Sequence, residues 1–364
     1  MAVKKAKLLE LDIVRAIAIL AVLIIHNSSE ATVEIPVGSG SQALYLAVNK
    51  LSNFAVPVFI FISGLVLFYR YFDDWSGKKA VTFYLKRVKQ VLFPYLIWSA
   101  FYYVYNQWIY APANLHFDWA EFGDLLPWAD ASYHLYFMVI IVQFYLLFPL
   151  MVWLSRAFAW FGRSLFLIGI LVQAGGYLYS HWIEPLPHSA SLCVTYFSLF
   201  ALGGYLGMRY EAFIGWINKH IVWVLPLSVL LGCSYAGMFL LAELKGVQFG
   251  GLAYMLVFNV YPMFASMSFI WIGRLLLKYL PALSKMLLSL GAVSFGIYLM
   301  HPAVLTYWRT HVDNGSGRML DYHLYTLTAF VLSLGVPWLA AYLYGQAMRR
   351  LRPPSSRKQV KSAA

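Results

Sequence analysis

Long apolar runs broken by short polar stretches recur along the whole chain. Runs of spanning length fall at roughly 11–30, 43–69, 91–110, 134–155, 164–180, 192–208, 221–242, 252–273, 286–306 and 322–346. A helix needs about 20 apolar residues to cross the hydrocarbon core of a bilayer. The pattern therefore predicts an all-α, polytopic integral membrane protein of about ten transmembrane helices. No long polar stretch separates the runs, so residues 1–350 are expected to form one membrane domain. Residues 351–364, basic after a Pro-Pro-Ser-Ser start, are expected to be a disordered tail on the cytoplasmic surface.

Composition agrees with lipid as the solvent. Hydrophobic residues make up 61% and charged residues 12% of the chain, against about 25% charged in soluble domains. The net charge of +12 is carried in short loops, where it sets orientation and meets anionic headgroups. No basic surface interleaved with aromatics lies away from the spans, which argues against nucleic acid as a partner. With a cytoplasmic N-terminus, about 22 of the 27 lysines and arginines fall on the cytoplasmic side. A miscounted span would scramble that partition, so it supports ten spans with both termini inside. Lys4, Lys5 and Lys7 before an apolar run resemble a signal peptide. Arg15 interrupts that run and no small-residue cleavage pattern follows His26, so a retained first helix is expected. Cys193 and Cys233, both in apolar segments, have neither zinc nor disulfide spacing and are expected to be buried small residues. No metal site is suggested. The expected location is a bacterial plasma membrane, crossed many times.

The first helix carries the strongest chemical signal. Ionisable groups inside a span are costly and functional by default, and this one holds Arg15 and His26. Eleven residues make roughly three turns, which puts both on one face, about 16 Å apart along the axis. That geometry suits a molecule with a phosphate at one end and a reactive carbonyl at the other. The pantetheine arm of coenzyme A has about this reach. A guanidinium pairs with phosphate through its planar fork, and an imidazole can take a proton from an acceptor hydroxyl. The competing structural reading is that Arg15 snorkels to headgroups while His26 bonds a neighbouring helix.

Five segments in order, that helix and four others, weigh against that competing reading. The run Leu11 to His26, the segment Pro57-Val58-Phe59-Ile60-Phe61-Ile62-Ser63-Gly64, and Phe83-Tyr84-Leu85-Lys86-Arg87 with Pro94-Tyr95 come first. Tyr133-His134-Leu135-Tyr136-Phe137 with Gln143-Phe144-Tyr145, and Ser294-Phe295-Gly296-Ile297-Tyr298-Leu299-Met300-His301-Pro302, follow. Together they resemble the motifs of the acyltransferase family 3 membrane proteins over nearly the whole chain. The pattern is most similar to the Gram-positive branch that includes proteins named for poly-N-acetylglucosamine export. The resemblance implies ten core helices, a cytoplasmic acyl-CoA donor and an extracytoplasmic glycan or lipid-linked sugar acceptor. It implies His26 as the catalytic histidine and Arg15 as its basic partner. Arg87 matches the first arginine of an Arg-x-x-Arg pair whose second position is Gln90 here, so Lys86 and Lys89 are candidates for the missing charge.

His134, Gln143, Tyr145, His301 and Ser63 are candidate substrate contacts, each with a packing alternative. Ser63 with Gly64 suits a close helix contact, and Gln143 and Tyr145 suit core packing. Outer loops rich in acidic and aromatic residues suit sugar, and equally an interfacial aromatic belt. The chain has no Walker A loop, dinucleotide fingerprint, His-Glu-x-x-His or Gly-x-Ser-x-Gly elbow. The expected activity is transfer of an acetyl or succinyl group from acyl-CoA, with no permanently bound cofactor. The alternatives are an exporter or flippase of a polysaccharide or lipid-linked sugar, and a partner of a glycan synthase without activity of its own.

Overall fold

The structure is a computed structural model and describes residues 5–314 and 317–351. The tail from residue 352 onward, and Lys4, lie outside the described residues. The chain runs through α1 (Leu9–Ser29), the single turn α2 (Ala31–Glu34), α3 (Gly40–Leu51), α4 (Ala55–Tyr71), α5 (Gly77–Arg87) and α6 (Phe93–Tyr110). It continues through α7 (Trp119–Leu125), α8 (Tyr136–Ala157), α9 (Ala159–Arg163), α10 (Leu165–Trp182) and α11 (Phe197–Met208). It ends with α12 (Tyr210–Lys245), α13 (Gly251–Tyr279), α14 (Pro281–His311) and α15 (Met319–Leu351). No strand occurs among the described residues.

Six helical segments among the described residues are long and apolar enough to cross a bilayer unaided. They are Gly40–Tyr71, Tyr136–Ala157, Tyr210–Lys245, Gly251–Tyr279, Pro281–His311 and Met319–Met348. The protein is thus an all-α polytopic membrane protein, as the apolar pattern predicts. Beyond these six, α1 is 21 residues long, and α6 and α10 are 18 each. That gives each a length of about 27 to 32 Å.

Helix α1 is the hub, packed by α3, α4, α13, α14 and α15. Ile13, Val14, Ala16, Ala18, Ile19 and Leu23 are fully buried, as a helix apolar on all sides should be. Small residues let its neighbours approach. A Cβ on Gly291 of α14 would lie 1.8 Å from the Asp12 carbonyl oxygen of α1. The α4–α11 pair is equally close: Cβ atoms on Gly203 and Gly207 would meet the carbonyls of Phe61 and Leu65 at 2.1 and 2.3 Å. Only glycine fits such contacts, and dispersion between closely approaching backbones is what holds helices together in lipid.

Three apolar runs depart from simple spans. The run at 43–69 is one 32-residue helical segment interrupted by a 3-10 turn at Ser52–Phe54. The run at 192–208 gives only the 12-residue α11, preceded by 3-10 turns at Ser189–Ser191 and Cys193–Tyr196. His188, beyond the end of α10 at Trp182, takes a left-handed backbone (φ 51°) just before the first of these turns. The run from 91 follows directly from α5 through a π-helical turn, Val88–Leu92. Pro94 cannot donate to the carbonyl four residues back, and a widened turn accommodates its ring. Cys233, expected to be buried, is exposed on α12, while Cys193 is half-buried. An outward thiol is tolerated because the surface of a lipid-facing helix is itself apolar.

Candidate active site

A cavity of about 440 Å³ opens at one end of the molecule between α1, α4, α8, α14 and the α5–α6 junction. Its mouth is basic: Lys7, Arg15, Arg87 and Gln90 line it together with Asp12. Asp12 is 5% exposed. It accepts from Arg15 Nη1 at 2.5 Å and from Lys7 Nζ at 2.8 Å. A buried carboxylate between two cations fixes their positions and leaves the mouth net positive. Arg87 pairs with no carboxylate among the described residues. Its guanidinium lies 4.8 Å from the Tyr145 ring centre and 5.1 Å from that of Phe83, and its Nε is buried without a hydrogen-bond partner. A buried, unpartnered donor near two aromatic rings and beside an open cavity is arranged to receive an anion.

The π-helical turn places Arg87, Gln90 and Val91 on this wall. Lys86 and Lys89, the sequence candidates for the missing charge, are exposed and not among the lining residues. Lys7 and Gln90 line the wall instead. Ser63 lines the cavity, but its hydroxyl donates to the Phe59 carbonyl at 2.9 Å within its own helix. Tyr145 also lines this basic chamber. Gln143 does not. Its amide donates to Ser191 O at 2.8 Å and accepts from Cys193 N at 2.9 Å, so it holds the loop that leads into α11.

Phe137, Met138 and Tyr298 line the cavity on its α8 and α14 walls. Behind Tyr298 lies a cluster of three imidazoles from three distant segments. The ring centres of His26 and His301 are 5.3 Å apart, and those of His134 and His301 are 5.7 Å apart. Tyr133 lies 4.9 Å from His26, and Tyr298 lies 5.2 Å from His134. The Tyr298 hydroxyl donates to the backbone carbonyl of His134, so it stands between the two compartments. His301 is 0% and His134 1% exposed. His301 Nδ1 lies 3.1 Å from the Ile297 carbonyl. A carbonyl only accepts, so Nδ1 carries the proton and Nε2 holds a free lone pair. That Nε2, and the Nε2 of His134, are buried without a partner. His134 Nδ1 pairs with Ser132 Oγ at 3.0 Å. Among the described residues no group of histidines, cysteines and carboxylates is arranged to hold a metal ion.

The surrounding scaffold keeps these rings in place. Pro302 interrupts the hydrogen-bond ladder of α14 beside His301. Tyr102 and Tyr105 of α6 donate to the carbonyls of Leu299 and Ala303 on either side, each at 2.7 Å. Arg309, in the last turn of α14, donates to the His26 carbonyl at 2.9 Å and pairs with Glu30 at 2.8 Å. Nothing in the sequence pattern marks Arg309 as a member of the site. Tyr298 and Tyr133 lie within the motif segments, without a role assigned there.

The family described as acyltransferase domain, acyltransferase family 3, matches residues 8–342. The chain is 25% identical over 310 residues to a probable poly-beta-1,6-N-acetyl-D-glucosamine export protein of Staphylococcus aureus strain MSSA476, covering 82% of each. It is 23% identical over 316 residues to the protein of the same name from Staphylococcus epidermidis, covering 83% of this chain and 82% of that one. No solved structure matches. The matched segment runs from α1 into α15 and takes in both the basic cavity and the histidine cluster, and the chain belongs to acyltransferase family 3.

Proposed function

We propose that the protein is an O-acyltransferase of the bacterial plasma membrane that moves an acetyl or succinyl group from acyl-CoA to a hydroxyl of a surface glycan or lipid-linked sugar. The observation that carries this reading is the cavity whose basic mouth holds Arg15 and Arg87 and whose inner wall, Tyr298, touches the histidine cluster. In this reading the basic mouth faces the cytoplasm, both termini lie inside, and ten helices cross the membrane. The donor phosphates rest on Arg15, Arg87 and Lys7, with Lys86 and Lys89 adding to the field outside the mouth. Ser63 and Tyr145 flank the donor arm. The thioester reaches Tyr298, and the acceptor enters from the histidine side.

The imidazole of His26 takes the proton of the acceptor hydroxyl as its oxygen attacks the thioester carbonyl. The carbon–sulfur bond breaks, and the departing thiolate takes the proton from the imidazolium, so no charge accumulates over the cycle. The free lone pair on His301 Nε2, next to His26, can accept from a neighbouring hydroxyl of the acceptor and so hold the attacking one in line. Exclusion of water by Tyr298 and Phe137 limits hydrolysis of the thioester. The glycan acceptor draws support from the staphylococcal relatives, which are named for export of a poly-N-acetylglucosamine. Those names equally motivate the transporter alternative.

The test uses purified protein in proteoliposomes, with radiolabelled acetyl-CoA or succinyl-CoA and a β-1,6-N-acetylglucosamine oligosaccharide. Acyl ester on the sugar, lost in His26→Ala at equal folded yield, supports the enzyme. Movement of the sugar across the bilayer by wild type with no ester formed replaces that reading with transport.

A further inference from the structure

A second basic cleft lies apart from the donor cavity. It has a volume of about 530 Å³ and is lined by Arg156, Arg163 and Arg209 together with Asp73 and Ser155. Its walls are three corners of the fold: the end of α4, the turn from α8 through α9 to α10, and the turn from α11 to α12. Lys5 pairs with Asp73 at 2.5 Å, which places the cleft at the same end of the molecule as Lys7 and the basic mouth.

The pairing of the arginines is informative. Arg15, Arg274, Arg309 and Arg318 each meet a carboxylate. The three arginines of this cleft meet none among the described residues. Arg156 Nη1 donates to the Trp75 carbonyl at 2.5 Å, and Arg209 Nη1 donates to the Gly162 carbonyl at 3.3 Å while stacking 4.4 Å from the Tyr205 ring. These bonds aim the two guanidiniums without neutralising them. Arg163 makes no hydrogen bond or ion pair among the described residues. The single carboxylate, Asp73, is already matched by Lys5. Three like charges around one cleft repel each other unless an anion lies between them.

The setting points to the source of that anion. Each wall is the terminus of a helix of the bundle, so the cleft lies where the bilayer meets water. Trp153, Phe158 and Trp160 beside it are 55%, 46% and 62% exposed. Large outward aromatics at the end of a span are interfacial anchors, and basic pockets between helix ends bind phospholipid headgroups. We propose that Arg156, Arg163 and Arg209 form a binding site for the phosphate of an anionic phospholipid, with its acyl chains lying along the apolar face of α8 and α9. A bound lipid there would brace the three corners against one another.

The experiment reconstitutes the full chain in nanodiscs of phosphatidylglycerol and phosphatidylcholine, then counts lipids retained after detergent extraction by native mass spectrometry. The triple variant Arg156→Gln/Arg163→Gln/Arg209→Gln should retain at least fivefold less phosphatidylglycerol and the same phosphatidylcholine. Arg163→Gln alone, which breaks no bond of the fold, should give a partial loss. Lys219→Gln, an exposed cation elsewhere, should give none. Excess inorganic phosphate or adenosine 3′,5′-bisphosphate should not displace the lipid. Equal phosphatidylglycerol retention in Arg163→Gln and wild type overturns the proposal. Displacement by the bisphosphate also overturns it, and assigns the cleft to a free phosphate ligand. Neither result depends on acyl transfer, so the outcome is separable from the proposed enzymatic activity.

Discussion

At the scale of single residues the candidate site divides into groups that touch reactants and groups that hold them. In the proposed reaction His26→Ala removes the base and should lower turnover by about 10²- to 10⁴-fold. Arg309→Lys is more diagnostic. Lysine keeps the charge but loses the fork that grips both the His26 carbonyl and Glu30. Loss of one charge-assisted bond of about 1.5 to 3 kcal/mol predicts a tenfold or greater fall in kcat at unchanged acyl-CoA KM. A matching rise in donor KM would show that Arg309 acts somewhere other than on His26. Arg15 and His26 were legible in the sequence because a charge or an imidazole in an apolar run stands out against its surroundings. Arg309 was not, because its partner Glu30 is 279 positions away and only the packing of α14 on α1 brings them together. Which cations face the cavity was also hidden. The turn of helix at 86–90 decides between Lys89 and Gln90, and a π-helical turn shifts that register in a way no period-3.6 reading anticipates.

At the scale of elements, the donor cavity depends on how closely α14 approaches α1. Gly291 and Asp12 both line it, and a Cβ on Gly291 would fall on the Asp12 carbonyl. Gly291→Ala must therefore push the helices apart, an overpacking cost of about 1 to 3 kcal/mol. The expected outcome is a lower unfolding temperature in detergent and weaker acyl-CoA binding together. Gly237→Ala on α12, where a Cβ would meet nothing within 4 Å, should be neutral or slightly stabilising, because alanine is the better helix former. A drop of similar size in both would show that the contact at Gly291 is not special. The apolar runs place most of the long helices to within about six residues at each end, but α12 begins at Tyr210, well before the run at 221–242. It could not give the 3-10 connection at 189–196, which rests on a left-handed His188 and the amide of Gln143.

The segment between α6 and α8 is held by a small polar network that should respond to pH. Asp118 caps α7 through the amides of Ala120 and Glu121, and those bonds hold its carboxyl below the usual range. The Tyr103 hydroxyl and then His116 do the same for Glu121. The Asn114 carbonyl and then Glu121 raise the pKa of His116. The stabilisation from the two carboxylates is present above their ordinary values of 3.8 and 4.5 and is lost as pH falls through their lowered native pKa values. That from His116 is complete below 6.5 and is lost as pH rises through its raised native pKa. Hydrogen exchange of the amides at 118–122, corrected for intrinsic rates, should be slowest between those limits and should quicken on both sides. In His116→Gln the acceleration on the alkaline side should vanish. Its persistence would place the titrating group elsewhere.

In the proposed reaction the molecule as a whole must join a water-soluble, phosphate-bearing donor to an acceptor on the other side of a bilayer without opening a path for water. The architecture answers with two compartments that share one wall. The basic chamber ends at Tyr298, and the histidine cluster begins behind it, with the Tyr298 hydroxyl bonded to the His134 backbone. A bulky ring in that position excludes water while a thin thioester passes beside it. In the proposed reaction, Tyr298→Ala removes the wall but leaves Arg15, Arg87 and all three imidazoles in place. Binding of acyl-CoA should then persist, because the phosphates are held at the mouth. Water should reach the thioester, so hydrolysis without acceptor should rise severalfold relative to transfer. Tyr298→Phe loses only the hydroxyl and keeps the ring, so it should stay near wild type in that ratio. The measurement is free carboxylate against glycan ester from the same labelled acyl-CoA. An unchanged ratio in Tyr298→Ala would mean that the water barrier lies elsewhere, and the two-chamber account would fail at its shared wall.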